Sequence, residues 1–216
     1  MNKRLLVATT NPGKLAELKN FLSDLPIVIV SLTDLNIKDD VEEDGATYGE
    51  NSAKKALFYA KKSGLPAISD DGGIEIAALN FGPGVHSRRW LSHQPGGASG
   101  PEGHDATDEE LIEHMIKVSE NLPENNRTAY FRTVVTLATA SGSKFQAKGE
   151  VKGIIAKKPY LKLLKGYPYR SFFYLPQLGK YYHEAELSQS EQKLYNHRYK
   201  AVSELKPIIR KVLGIK

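Results

Sequence analysis

The chain has 216 residues, 40% of them hydrophobic and 25% charged, the balance of an ordinary globular protein long enough for one sizeable core. It contains no cysteine, which excludes disulfides, thiolate metal sites and a thiol nucleophile, and no apolar window approaches the length of a membrane span. The formal net charge of +5 is dispersed over small clusters such as "AKKSG", "HSRRW" and "AKKPYLKLLKG". It fits solvated surface or a polyanionic small molecule as well as it fits nucleic acid.

In chain order, "RLLVAT" (Arg4 to Thr9) predicts a buried strand. The basic, apolar start "MNKRLLVATTNPGK" mimics a signal peptide, but its apolar run ends at Asn11-Pro12 without a small-residue cleavage site. A cytoplasmic protein is therefore expected, in keeping with the missing cysteines. Asn11 is a good N-cap and Pro12 suits a first helical position, with Leu15, Leu18, Phe21 and Leu22 forming one apolar stripe. "PIVIVSL" from Pro26 predicts a second strand. Thr47 and Glu50 form a capping-box pattern opening a helix through Ala60, and Gly64-Leu65-Pro66 stops it.

The segment "AISDDGGIEI" then predicts a short strand, Ala67 to Ser69, running into a tight glycine turn that carries two acids. "SHQPGGASGPEGHD", 92–105, reads as an exposed loop. Thr107 and Glu110 open a further helix. "RTAYFRTVVTLATA", "SGSK" and "FQAKGEVKGIIA" predict a β-hairpin. Ser188 and Glu191 open a last helix, which Pro207 should kink or interrupt. Strands alternating with helices around a long hairpin predict an α/β fold with a mixed sheet, a single domain over 1–216 without a separable linker.

Four patches have the residue types for chemistry. In "TTNPGK", Thr9, Thr10, Asn11 and Lys14 lie at a strand-to-helix turn, where helix N–H groups and a lysine suit a phosphate. An ordinary capped helix explains the same residues. In "VEEDGATYGENSAKKA", Glu43 sits in an acidic run that is either solvated or metal-ligating, and Asn51 and Lys55 share a helix face. In "SDDGG", Asp71 and Gly72 suit Mg²⁺ and a closely approaching substrate, or else a plain surface turn. In the fourth patch, His197 and Arg198 stand together near the C-terminus and say little alone.

Taken in order, the pieces "ATTNPGKLAEL", "EEDGATYGENSAKKAL", "LPAISDDGGIEIAAL", "GPGVHSRRW", "DATDEELI", "GEVKGIIA", "FYLPQLGK" and "NHRYKAV" resemble the inosine triphosphate pyrophosphatase family across nearly the whole chain. The resemblance implies a long central mixed β-sheet with flanking helices, two lobes around a deep substrate cleft, and a homodimer. It implies Mg²⁺-dependent hydrolysis of non-standard purine nucleoside triphosphates to monophosphate and pyrophosphate. Asp71 matches the family's catalytic acid, and Glu43 with Asp71 the metal ligands. The Thr9–Lys14 turn and Lys55 match the triphosphate site, and His197 and Arg198 the pair that meets the base.

Three departures fall on the base side and beside the catalytic acid. Where the family has GFGYDP, this chain has "GYPYRS": Tyr167 supplies the aromatic, but Arg170 replaces an Asp. Arg170 either reads purine acceptors or pairs with a neighbouring acid. Gln192 occupies the place of a lysine, with Lys193 beside it, and Gly72 replaces a common serine. The phosphate chemistry is thus expected to carry over more fully than the base preference. A non-catalytic nucleotide sensor is the second reading. No basic recognition helix or aromatic-interleaved basic strand supports a nucleic-acid partner.

Overall fold

The computed structural model describes residues 3–93, 106–162 and 164–215. Most of the sequence-predicted loop 92–105 lies outside them. The strands are β1 (Arg4–Val7), β2 (Val28–Ser31), β3 (Ala67–Ile76), β4 (Gly82–Pro83), β5 (Thr128–Ala138), β6 (Lys144–Ile155), β7 (Phe173–Leu175) and β8 (Lys180–Tyr181). The helices are α1 (Pro12–Phe21), α2 (Tyr48–Ser63), α3 (Asp108–Asn121), α4 (Gln189–Tyr195) and α5 (His197–Leu213), with short 3₁₀ segments between them. The eight strands form one mixed sheet in the order β2-β1-β3-β5-β6-β7-β8, with β4 paired to β3. β1 runs parallel to β2 and β3, while β3–β4, β6–β7 and β7–β8 are antiparallel. Among the described residues no helix is long and apolar enough to cross a membrane.

Two compact units share this chain: Met1–Asp71, Thr133–Gly149 and His197–Lys216 in one, Gly72–Arg132 and Glu150–Asn196 in the other. In the first unit, one core joins Leu5, Val7, Ile68, Val135 and Leu137 to Leu18 and Phe21 of α1 and Ala201, Leu205 and Ile209 of α5. A separate core joins Leu6, Ala8, Ala67 and Ala138 to Ala56, Tyr59 and Ala60 of α2. Leu6 and Ala67 thus belong to one face, Leu5, Val7 and Ile68 to the other, as period-two alternation requires. The second unit has its own core around Ile74, Ile76, Leu111, Met115, Phe131, Phe172 and Phe173.

The expected capping boxes all form. Thr47, Thr107 and Ser188 each accept the N–H three residues on, and Glu50, Glu110 and Glu191 reach back to the cap. Gly64 ends α2 in the left-handed region at φ 68°, its N–H donating to Ala60 O.

Two expectations give way. "SDDGG" is not a turn: Asp70, Asp71, Gly72 and Gly73 all lie inside the continuous strand β3. The glycine at 73 answers to crowding rather than to a turn, because a Cβ there would collide with Ser87 Oγ and Gly84 O. The last helical segment also breaks earlier than Pro207. Asn196 adopts an extended conformation (φ −83°, ψ 117°) between α4 and α5, whereas α5 runs through Pro207 uninterrupted. Leu205 and Ile209 are buried on either side of that proline, so core packing offsets the one lost helical hydrogen bond. The break fits β6, where a Cβ on Gly149 would collide with His197 O.

Candidate active site

Adjacent strand residues point to opposite faces, and β3 uses this on its two acids. Asp70 shares the Ile68 face, toward α1 and α5. Its Oδ2 accepts from Arg198 Nε at 2.8 Å and pairs with Lys14 Nζ at 3.2 Å, while Arg198 also pairs with Glu17. The Asp70 side chain is 0% exposed and that of Arg198 4%. Burial alone would push the Asp70 carboxyl up, but Arg198, Lys14 and Lys55 outweigh it and hold the group well below the usual carboxylate range. Its second oxygen, Oδ1, is buried without a hydrogen-bond partner among the described residues.

Asp71 shares the Ala67 face, toward α2. Its Oδ2 accepts from Asn51 Nδ2 at 3.0 Å, and its backbone carbonyl accepts from Thr133 Oγ1 at 2.8 Å. Burial pushes its carboxyl up to about 6, against the pull of Lys55 and with a further push from Glu43. Lys55 Nζ donates to Glu43 Oε1 at 2.9 Å. Burial would lower the Lys55 pKa, but Glu43, Asp71 and Asp70 outweigh it and raise it. One face therefore holds a carboxylate locked in its charged form, and the other a carboxyl able to exchange a proton near neutrality.

Beneath α2 a polar chain fixes this second face. Ser69 Oγ donates to Ser52 O at 2.8 Å, Ser52 Oγ lies 2.7 Å from Thr136 Oγ1, and Gln146 Nε2 donates to Thr136 Oγ1 and to Gly49 O. These bonds satisfy buried polar groups and tie the start of α2 to β3, β5 and β6.

The acidic run of residues 42–44 is not merely solvated. Glu43 pairs with Lys55, and Asp44 with Lys54 at 2.6 Å. Among the described residues no group of three or more His, Cys, Asp or Glu side chains is placed to hold a metal ion by itself. The donor set fits a hard cation that takes a few carboxylate oxygens and keeps water or phosphate oxygens for the rest. Burial is the main cause of the raised Asp71 carboxyl and Glu43 adds to it, and a cation between two carboxylates would relieve that added repulsion.

The first turn of α1 is capped from within. Asn11 Oδ1 accepts from Gly13 N at 2.9 Å and Lys14 N at 3.1 Å, and Thr9 Oγ1 accepts from Asn11 N. Those helix N–H groups are engaged by the cap, leaving the Lys14 ammonium and the exposed Thr10 as the other polar groups of this turn. His197 and Arg198 are both 3% exposed at the start of α5. In the second unit, Arg170 is buried with its guanidinium 3.8 Å over the Tyr167 ring and 4.8 Å from that of Tyr182. Gln192 Nε2 donates to Leu187 O at 3.0 Å, and Lys193 is exposed in α4. Gly72 lies in β3 beside Asp71.

The structure thus gathers Lys14, Arg198 and Asp70 on one face of β3, and Asn51, Lys55, Glu43 and Asp71 on the other. Sequence reasoning left Asp70 as either a support for Asp71 or an outward-facing group, and left out Glu17 and Thr133; Asp70 is in fact buried and paired with Arg198. Reading β3 as an unbroken strand finds Asp70, since alternation then places it on the buried face of Ile68. No local signal marks Glu17 or Thr133, whose partners lie far off in sequence.

The Ham1 family model matches residues 5–208. Proteins named dITP/XTP pyrophosphatase from Geobacter sulfurreducens and Haemophilus influenzae are each 36% identical to this chain. The first match covers 94% of both chains, the second 95% of this chain and 98% of the relative. The Thermus thermophilus protein of the same name is 36% identical over 94% of this chain and 89% of its own. A solved Ham1 protein of Coxiella burnetii superposes with a TM-score of 0.77 at 33% identity, covering 98% of this chain and all of that one (100%). The Staphylococcus aureus Ham1 protein gives 0.74 at 29% identity, over 97% of this chain and 100% of its own. With a family model spanning nearly its whole length and relatives above 30% identity over most of it, the chain belongs to the Ham1 family.

Proposed function

We propose that the chain is a nucleoside triphosphate pyrophosphohydrolase that converts (d)NTP to (d)NMP and pyrophosphate, acting on non-standard purine nucleotides such as ITP, dITP and XTP. The observation that carries this reading is Asp71, a buried carboxyl raised to about 6 beside Lys55 and Glu43, in a chain whose named relatives are dITP/XTP pyrophosphatases. A base whose pKa lies near the working pH combines the right protonation state with useful driving force. Asp71 takes the proton of a water as the water oxygen bonds to the α-phosphorus. The bond from that phosphorus to the bridging oxygen breaks, and pyrophosphate leaves with the electron pair. Lys14 and Lys55 are the cations that cover phosphate charge, which is the larger part of catalysis in phosphoryl transfer. Glu43 and Asp71 would hold Mg²⁺, which supplies neutralisation of the phosphate oxygens when bound.

Thr9, Thr10 and Asn11 belong to the triphosphate side in this reading, and Tyr167, Arg170, Lys193, His197 and Arg198 to the base side, where Arg170 makes the preference the property most open to change. We place the enzyme in the cytoplasm as a homodimer, a state that light scattering would measure. The test is pyrophosphate release with Mg²⁺ from ITP, dITP, XTP, GTP, ATP, CTP and UTP. Selective turnover of ITP, dITP and XTP supports the reading in full, and turnover of other bases keeps the chemistry and moves the specificity. No turnover of any nucleotide overturns it in favour of a nucleotide sensor.

A further inference from the structure

Asn51 is 1% exposed, and each end of its amide is engaged. Nδ2 donates to Asp71 Oδ2 at 3.0 Å, and Oδ1 accepts from Gly45 N at 2.7 Å. The next two N–H groups of the acidic loop, those of Ala46 and Thr47, donate to Glu50 Oε2 at 2.7 and 3.2 Å. Lys54 and Lys55 then hold Asp44 and Glu43 by ion pairs. The first two turns of α2 are thus a template on which the loop is laid, and Asn51 also reaches Asp71 on β3. The approach is close: a Cβ on Gly45 would lie 2.6 Å from Asn51 Oδ1. At 1% exposure, with a donor and its acceptor both committed inside the protein, this amide is placed to orient its neighbours.

We infer that Asn51 is a positioning residue that sets the Glu43 loop in register with the Asp71 carboxylate, so that the two acids present one cation site. This rests on the pyrophosphohydrolase reading above. A hydrogen bond to a carboxylate oxygen fixes the orientation of the group, and a backbone N–H bonded to the same side chain fixes where the loop stands. A substitution that keeps size but loses the donor, Asn51→Asp, sets two carboxylates against each other. Gly45→Ala disturbs the junction from the loop side and removes no functional group.

The test compares Asn51→Asp, Asn51→Ala, Gly45→Ala and, as a control, Lys54→Ala, which removes only an exposed ion pair to the same loop. The measurements are kcat and KM separately, hydrogen exchange of the Gly45 amide, and the melting-temperature rise that Mg²⁺ alone produces without nucleotide. The Asn51 variants are expected to lose about 30-fold or more in kcat with KM within about 3-fold, since misplacement by an ångström costs up to about 100-fold. In Asn51→Ala, which loses the acceptor, the Gly45 amide should exchange at least about 10-fold faster, and in both Asn51 variants the Mg²⁺-induced shift should shrink by more than half, with Gly45→Ala intermediate and Lys54→Ala like wild type. Folded Asn51→Ala and Gly45→Ala proteins with wild-type kcat and Mg²⁺ shift overturn the inference, as does a rise in KM alone, which marks Asn51 as a substrate contact. If an Asn51 variant does not fold, Gly45→Ala decides by the same criteria. Failure of the parent reading looks different, because wild type itself then releases no pyrophosphate.

Discussion

The two faces of β3 place chemically identical side chains side by side and give them opposite characters. Asp70 and Asp71 are both almost fully buried. Asp70 meets a guanidinium and an ammonium directly, so it stays charged and holds cations. Asp71 accepts from a neutral amide, and the pull of Lys55, itself paired with Glu43, does not offset burial, so its proton is held near neutral pH. Depth does not separate them. What decides is which group bonds each acid directly, Lys14 of α1 and Arg198 of α5 on Asp70, the Asn51 amide of α2 on Asp71.

The largest expected effect comes from Asp71→Asn. Turnover should fall by about 1000-fold or more, the combined scale of a lost base and lost electrostatic stabilisation. In the metal-free protein the same change should stabilise the fold. The folded pKa of Asp71 lies above its unfolded value, so the folded state holds its proton more tightly. This group therefore favours folding at low pH, and that contribution is lost as pH rises through about 6. An asparagine carries no such loss. At pH 8 with chelator, urea unfolding should show a gain on the order of 2 kcal/mol, and a loss would mean that the carboxylate is well compensated.

Asp70→Asn should do the reverse. It leaves Arg198 and Lys14 without their shared carboxylate, and breaking a buried pair in this way costs about 3 kcal/mol or more in the same experiment. Equal destabilisation by the two substitutions would erase the contrast between the faces.

The smallest effect sharpens it. His114 packs edge-on to Trp90 at 4.6 Å, and burial, aided by Lys117, lowers its pKa. A histidine depressed in the folded state binds protons better when unfolded, so stability falls as pH drops below about 6.5. His183 is lowered in the same direction, chiefly by burial. Asp71 contributes the opposite slope between its unfolded value and about 6. His114→Phe should therefore flatten the acid-side loss between about pH 6.5 and 5, exposing the Asp71 gain; Trp90 fluorescence would follow it.

Much of the frame was legible because its signals are local. Asn11-Pro12 and the Thr47–Glu50, Thr107–Glu110 and Ser188–Glu191 pairs are written within four residues, and each forms as read. "SDDGG" misled because glycine has two uses. Its local one is a turn; its non-local one is to admit a neighbour, here the 84–87 segment, which no window around residue 73 contains. The site was legible as residue types, and Glu43, Lys55 and Asp71 do converge. Their bonding was not: the Asn51 link spans 20 residues to Asp71, and the Asp70–Arg198 pair spans 128. Likewise Asn196 gave no warning of the break before α5, since the crowding that marks it comes from Gly149.

The unbroken run of β3 has a bearing on which mutations this chain can survive. The strand is pinned to β1 by the pairs Leu6 with Ala67 and Val7 with Ile68. A substitution at Ser69, just past that pairing, alters one side chain. Losing or gaining one residue between Ile68 and Asp70, with that pairing kept, would instead turn every later side chain of the strand over. Asp70 would exchange faces with Asp71, leaving two acids of unchanged sequence each with the other's neighbours. A library of variants should accordingly tolerate point changes in this short stretch far better than single-residue insertions or deletions, with tolerance for length changes returning in the turn at 139–143, where Gly142 has no atom within 4 Å of its Cβ position.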